Sequence, residues 1–493
     1  MLELIKKSNF ILIIDGYKAS HYLQLPNDIK QNYVVVVPRT TSHYSNVIVA
    51  MGQNLIASIL ENVTIDIDMI NEAELEINAQ GYEFNRDGWL NIVKYHNGKL
   101  PLLVMGVEEG RIINPQTPII SITNTDELSA WLPSYIETWV QSIIWKMSST
   151  ATLCHSIKLI LNDYCHKTGT DTKLVDNMLI YFGDRSASSP ESAILSGVAH
   201  AVFFDGSDSI QTNGYIKKIY HTNKNYTSSI DASEHGTMCA NSDSINKNDY
   251  GAAVMAVERL EACVKRSKLG IGYPTFSVVI DTYNPRRFVQ EFTGIHLKDR
   301  ILESGGVLVH RPDSGDPTIE PGLVANDLAN TFGYTTNEKG YRSLHHSVKV
   351  IQGDGMNYDS LISVLDGWVD AGYSLDSLIL GMGYGISDYV KRDDFSFSVK
   401  STLMIRRTGE LLKLLKNPST DPNKKSLTGF VRCIEENGVL RTLDCLDYIE
   451  VDNNVVGVYD ITPGWKMWYK NGIRTIQNFD EVRLRANEYL NNF

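Results

Sequence analysis

No stretch of this chain stays apolar for the roughly 18 residues that a membrane-crossing helix needs, so a membrane protein is not expected. The start, Met-Leu-Glu-Leu-Ile-Lys-Lys, lacks a basic segment followed by an apolar core, so no signal peptide is expected. Cysteine is sparse. Cys154, Cys165, Cys239, Cys263, Cys433 and Cys445 are the six in 493 residues, with no C-x-x-C spacing, which excludes a disulfide framework and points to a reduced, cytoplasmic setting. Basic residues are outnumbered, 46 against 58 acidic, for a net charge of −12; general nucleic-acid binding would need a broad basic surface. Neither the Walker pattern nor the dinucleotide glycine fingerprint occurs. H-E-x-x-H is also missing, and no second His or Cys stands at metal-ligand spacing, which argues against zinc.

What remains is an ordinary globular composition, 43% hydrophobic and 21% charged, in a chain too long for one core. Two domains are therefore expected. From residue 178 onward, short β-branched runs alternate with helical patterning, and each run ends in a polar or glycine-rich tip. Met178–Phe182 leads into Gly183-Asp184-Arg185, Ala201–Phe204 into Asp205-Gly206-Ser207-Asp208, and Ser277–Ile280 into Asp281. Val307–Val309 leads into His310-Arg311-Pro312-Asp313-Ser314-Gly315, Val348–Ile351 into Gln352-Gly353-Asp354-Gly355, and Leu378–Leu380 into Gly381-Met382-Gly383-Tyr384-Gly385. The tips recur at the length of one strand–helix unit, with the chemistry gathered at strand C-termini. That pattern predicts an α/β fold, a parallel α/β barrel over 178–394. Residues 1–177 and 395–493 then form a second α/β domain built from both ends of the chain. Within the first part, Ile11–Ile14 and Tyr33–Val37 read as strands, and Ser209–Ser233 reads as an exposed excursion.

The tips carry the candidate chemistry. Arg311 and Asp313 could be a salt-bridged turn or a ligand site. Asp313, Asp354 and Asp281 suit the hydroxyls of a ribose or a divalent cation held through water. The Gly381–Gly385 loop could be a tight structural turn, or backbone N–H groups approaching a phosphate with Lys391, Arg392 and Lys400 nearby. Ser233-Glu234-His235-Gly236-Thr237 presents a histidine open to four readings: structural, proton shuttle, metal ligand or phosphoryl acceptor. Taken together, the acids, Arg311 and the glycine loop suggest a phosphorylated sugar with Mg²⁺.

In order along the chain, Asp15-x-Tyr17-Lys18-x-x-His21-Tyr22, Phe182-Gly-x-Arg185-x-x-Ser188-Ser189-x-Glu191, Gly206-x-Asp208, Glu234-His235, Arg311-Pro-Asp-Ser-Gly315, Gln352-Gly-Asp-Gly355 and Asp421-Pro-Asn-Lys424 resemble the nicotinamide phosphoribosyltransferase family. The resemblance implies transfer of the phosphoribosyl group of 5-phosphoribosyl-1-pyrophosphate to nicotinamide, giving nicotinamide mononucleotide and pyrophosphate. It implies Mg²⁺, ATP as a co-substrate acting through a phosphohistidine, and a homodimer with active sites at the subunit interface. Phe182 would stack on the nicotinamide ring, with Tyr17 of the partner subunit on the other face and Asp15 close by. Asp208 would accept the carboxamide N–H, and Arg185 would sit near its carbonyl. Asp313, Gly353 and Asp354 would hold the ribose, with Arg311 and Ser277 towards the sugar and its phosphates. Gly383, Tyr384 and Arg392 would hold the 5-phosphate, while Arg39, Lys400, Lys416 and Lys424 would bind pyrophosphate or ATP. His235 would be phosphorylated, oriented by Asp281. Asp184 and Tyr384 depart from the family's usual tyrosine and glycine, and Ile210–Ile230 departs in composition. A nicotinate phosphoribosyltransferase on the same barrel is the nearest rival, and a non-catalytic nucleotide-binding or signalling protein is a rival of another class.

Overall fold

The computed structural model describes residues 8–420, 425–446, 449–451, 454–456 and 465–488. The chain divides into two compact units. The first comprises 1–155, 214–224 and 390–493, and the second 156–213 and 225–389. The division falls inside the 32-residue helix Glu137–Thr168, ahead of residue 178 where the strand–helix rhythm starts; an unbroken helical pattern contains no mark of it.

The first unit is organised on a seven-stranded antiparallel sheet in the order Leu411–Lys413, Ser398–Arg406, Ile29–Val37, Ile120–Asn124, Leu102–Val107, Trp465–Lys470, Ile473–Arg474. Both ends of the chain thus interleave in one sheet, as Tyr33 paired with Leu403 illustrates. Tyr33, Val35, Leu403, Ile405, Phe430 and Cys433 form a buried cluster there, with the Tyr33 and Phe430 rings edge to face at 4.9 Å.

The second unit carries a seven-stranded sheet that is parallel throughout. Its order is Gly206–Ser207, Leu179–Tyr181, Leu378–Met382, Val348–Gln352, Val307–Arg311, Thr275–Val279, Asp231–Ala232. Its edges are joined through Ser228, whose carbonyl accepts from Ser207 N at 2.9 Å and whose N–H donates to the Asp205 carbonyl at 2.8 Å. Side chains alternate across each strand, so Val307, Val309 and Arg311 point inward with Ile180 and Ile351, around a cavity of about 300 Å³. The parallel barrel-type sheet and the second α/β domain are as expected.

Local expectations fared less evenly. Ile11–Ile14 is not a strand: Phe10–Leu12 is a 3-10 turn capped by Asn9, because four apolar residues alone do not distinguish the two. Ala201–Phe204 continues the end of the helix Pro190–His200, with Phe204 N bonded to the His200 carbonyl, and the strand is Gly206–Ser207. The strand Asp231–Ala232, two residues long, gave no sequence signal.

The first half of the expected excursion is a helix, Ile210–Tyr220, and its last turns belong to the first unit. Tyr220 is buried there, and its hydroxyl donates to Glu109 Oε2 at 2.8 Å. Glu109 Oε1 accepts from Gly52 N at 2.9 Å and Asn54 N at 3.0 Å, at the start of the helix Gln53–Asn62. Burial pushes the Glu109 carboxyl up, against the pull of these donors and of Arg485. A fully buried acid is tolerated because a helix N-terminus and a phenol satisfy it. Among the described residues, no helix is long and apolar enough to cross a membrane.

Candidate active site

The strand Val307–Arg311 delivers its residues to two different places. His310 points outward and is fully buried, with Nε2 3.4 Å from Thr293 Oγ1. Burial drives its imidazole down to about 4, so it is neutral near pH 7 and belongs to the packing. Thr293 reaches it from the π-helix Phe288–His296, where its hydroxyl also bonds back to the Phe288 carbonyl. Arg311, one residue on, points inward.

A chain of charges starts at that tip. Arg311 Nη2 lies 3.7 Å from Asp313 Oδ2, and the same oxygen lies 3.4 Å from His235 Nε2. His235 Nε2 is also 3.7 Å from Asp281 Oδ1. The Asp281 side chain is only 5% exposed, whereas that of His235 is 45% exposed. The hydroxyl of Ser314 donates to Asp281 Oδ2. His235 opens the short helix His235–Ala240, whose first turn is closed by a capping box between Glu234 and Thr237. The strand before it is fixed by Ser233, whose N–H donates to the Ser277 carbonyl at 2.9 Å and whose hydroxyl accepts from Val279 N at 2.9 Å. An imidazole between two carboxylates, one buried and one accessible, can hold a proton on the nitrogen facing them and present its other edge to solvent.

Beside this cluster lies an aromatic platform. Phe182 follows the strand Leu179–Tyr181 and rests on three glycines from two neighbouring strand tips. A Cβ on Gly381 would run into Phe182 Cε1; on Gly353 and Gly383 it would stand 3.1 Å and 3.4 Å from the ring. At Gly381 glycine is required for close approach of backbone to ring, not for a left-handed turn. Asp208 stands at the neighbouring tip, its N–H bonded to the Tyr181 carbonyl at 2.8 Å and its Oδ1 accepting the Ser229 hydroxyl. A cavity of about 620 Å³ brings together Phe182, Arg185, Asp208, Arg311, Asp313 and Asp354. Asp184, Gly353, Gly383 and Tyr384 also line it. Gly383 precedes a four-residue helix, Tyr384–Ser387. Ser277 is buried and lines the barrel cavity, which shares Phe182, Asp208, Arg311 and Gly353 with the larger one.

The other predicted residues belong to the first unit. Asp15 is bonded through its N–H and its Oδ2 to the Thr138 hydroxyl, and Tyr17 is exposed with its ring centre 4.9 Å from that of His21 in a T-shaped contact. Arg39 donates through Nε to the Ser396 carbonyl at 2.8 Å, and Lys400 Nζ donates to the Val399 carbonyl at 2.8 Å. Burial lowers the Lys400 ammonium; Glu137 opposes this, while Arg39, Lys416 and Lys18 add to it. Lys18 is itself ion-paired with Glu137. Arg392 also falls in this unit, exposed and paired with Asp393 at 2.6 Å. Lys424 lies outside the described residues.

Sequence reasoning missed two hydroxyls that hold predicted carboxylates. Ser314 stands inside Asp313-Ser314-Gly315, and that place was a usable hint. Ser229 lay in the supposed excursion, where the sequence gave no signal.

Residues 178–460 match the Nicotinate phosphoribosyltransferase (NAPRTase) family, and residues 9–104 match the Nicotinamide phosphoribosyltransferase, N-terminal domain. A nicotinamide phosphoribosyltransferase of Xanthomonas campestris pv. campestris (strain 8004) is 34% identical over 426 residues, covering 85% of this chain and 86% of that one. One from Acinetobacter baylyi (strain ATCC 33305 / BD413 / ADP1) is 28% identical over 464 residues, covering 85% and 87%. Among solved structures, a nicotinate-nucleotide pyrophosphorylase from Pyrococcus furiosus superposes with a TM-score of 0.59 at 14% identity, covering 98% of this chain and 96% of that one. Human nicotinic acid phosphoribosyltransferase gives 0.55 at 12%, covering 97% and 94%; at these identities both speak for the fold alone. The chain belongs to the nicotinate phosphoribosyltransferase family, and its N-terminal domain and its 34% identity place it among that family's nicotinamide phosphoribosyltransferases.

Proposed function

We propose that this protein transfers the phosphoribosyl group of 5-phosphoribosyl-1-pyrophosphate to nicotinamide, releasing pyrophosphate, as a step of NAD salvage. The observation that carries the reading is Asp208 beside the Phe182 platform in one cavity with Arg311 and Asp313. An aromatic face takes the pyridine ring, and an acceptor-only carboxylate takes the carboxamide N–H. The carboxylate of nicotinate would instead meet like charge, so selectivity for the amide comes partly from repulsion of the acid.

Displacement at the sugar C1 passes through an oxocarbenium-like state and needs little covalent help from the protein. Asp313 and Asp354 would hold the ribose hydroxyls, and the ring nitrogen would be aimed by Phe182 and Asp208. Arg311 and the Gly383 turn would meet phosphate oxygens and stabilise the charge that develops there.

The donor set suits Mg²⁺ carried on phosphate. Asp313 and Asp354 both line the larger cavity at strand tips, as fits an ion that keeps its waters and takes one or two carboxylates. When bound, it would neutralise charge on the departing pyrophosphate. ATP would donate its γ-phosphoryl group to His235, with an N–P bond formed, the P–O bond to ADP broken and the imidazole proton directed to a carboxylate. The exposure of His235 between Asp281 and Asp313 supports this role. A homodimer would bring the exposed Tyr17 to a second copy's site. A cytoplasmic setting fits the free thiols of Cys154, Cys165, Cys239, Cys263 and Cys433.

The test is a product assay with phosphoribosyl pyrophosphate and Mg²⁺, offering nicotinamide or nicotinate, with and without ATP. Mononucleotide formed preferentially from nicotinamide is expected; preference for nicotinate, or no turnover, would overturn the reading.

A further inference from the structure

Asp208 does not stand alone at its strand tip. The backbone link that joins the sheet edges, Gly206 against Ser228, brings the next residue, Ser229, within reach of the Asp208 side chain. Ser228 has its own partner, since Tyr273 donates its phenol proton to Ser228 Oγ at 2.9 Å. Of the two serines it is Ser229 that meets Asp208, donating its hydroxyl to Oδ1 and leaving Oδ2 without a hydrogen-bond partner among the described residues. Both residues line the inner cavity together with Phe182.

We infer that Ser229 is a positioning residue that enforces discrimination between a carboxamide and a carboxylate at this pocket, an inference that rests on the proposed activity. A hydroxyl has one proton to donate, and here it is donated to Asp208, which must act as acceptor to receive it. That bond fixes the carboxylate plane, so Oδ2 is offered as an oriented acceptor for a ligand N–H. A carboxamide supplies such a donor. A carboxylate supplies none, and it would face the carboxylate of Asp208 acceptor to acceptor. Ser229 thus acts on substrate choice through Asp208, without touching the reacting atoms.

The experiment compares kcat/KM for nicotinamide and nicotinate in the full-length wild type, Ser229→Ala and Ser229→Thr, with phosphoribosyl pyrophosphate and Mg²⁺ held saturating. The nicotinamide-to-nicotinate ratio should fall about tenfold in Ser229→Ala, the scale of one charge-assisted hydrogen bond, mainly through KM for nicotinamide. Ser229→Thr, which keeps the hydroxyl, should restore it; a merely structural role would not give this pattern of altered ratio and rescue. Ser229 is exposed, so truncation removes no core packing. An unchanged ratio in Ser229→Ala, or no recovery in Ser229→Thr, overturns the inference while the proposed activity stands. A wild type that turns over no nicotinamide overturns the activity and the inference with it.

Discussion

His235 Nε2 and Asp313 Oδ2 lie 3.4 Å apart, and Arg311 approaches that same oxygen from the other side at 3.7 Å. The ion pair at this turn lines the same cavity as Phe182 and Asp208. Asp313→Ala should raise KM for phosphoribosyl pyrophosphate at least about tenfold, while stability changes by only about 0–1 kcal/mol, the worth of a partly exposed pair. Steady-state kinetics beside a urea titration check it; equal losses of binding and stability would contradict the ligand role.

His235→Ala should abolish transfer of label from γ-labelled ATP to the protein and remove any rate gain from ATP, leaving a slower, ATP-independent synthesis. Acid-labile protein-bound phosphate and initial rates with and without ATP are the measurements. Kinetics identical to wild type under both conditions would remove His235 from the phosphoryl path.

Gly381→Ala should displace Phe182, because the new methyl falls on the ring with the strand backbone behind it. Overpacking of this kind costs about 1–3 kcal/mol. KM for nicotinamide should rise about tenfold with less effect on phosphoribosyl pyrophosphate, as initial-rate measurements in each substrate would show.

His310 gives a pH signature separate from catalysis. Its folded value is depressed from 6.5 to about 4, so its contribution is fully present above 6.5 and is lost as pH falls through that interval towards 4. A depression of that size corresponds to about 3 kcal/mol. Urea midpoints should show the wild type losing more stability than His310→Gln between pH 7 and pH 4.5, and parallel losses would refute the assignment.

Tyr220→Phe should cost about 1–3 kcal/mol, since it leaves Glu109 Oε2 buried without its donor. Denaturant titration measures it. Tyr220→Phe should leave specific activity of the folded protein within about twofold, on the scale of a few tenths of a kcal/mol.

The barrel was legible because its strands are short β-branched runs ended by glycine and acid, and that punctuation survives in the structure at Val307–Arg311, Val348–Gln352 and Leu378–Met382. Strands of two residues carry no periodicity, so Asp231–Ala232 was invisible and Gly206–Ser207 was placed too early. Local pattern also cannot report a distant partner. Nothing around Tyr220 announces Glu109, and the exposed reading of its segment failed for that reason. At the site, glycines and carboxylates stood out because they are unusual at strand ends, whereas Ser229 and Ser314 act through one hydroxyl each and look like any loop serine.

The interleaved sheet has a consequence for how the protein is made. Tyr33-Val34-Val35-Val36-Val37 finds one neighbour in Ile120–Asn124, but the other, Ser398–Arg406, is synthesised much later. At roughly 5–20 residues per second, the ribosome takes about 20 to 70 s to bridge that gap. For that time a valine-rich strand has an open edge, the template on which chains pair with each other. The nascent chain is therefore most vulnerable to aggregation before its C-terminal segment emerges, and truncated products lacking residues 398–406 should be recovered as inclusion bodies rather than as free barrels.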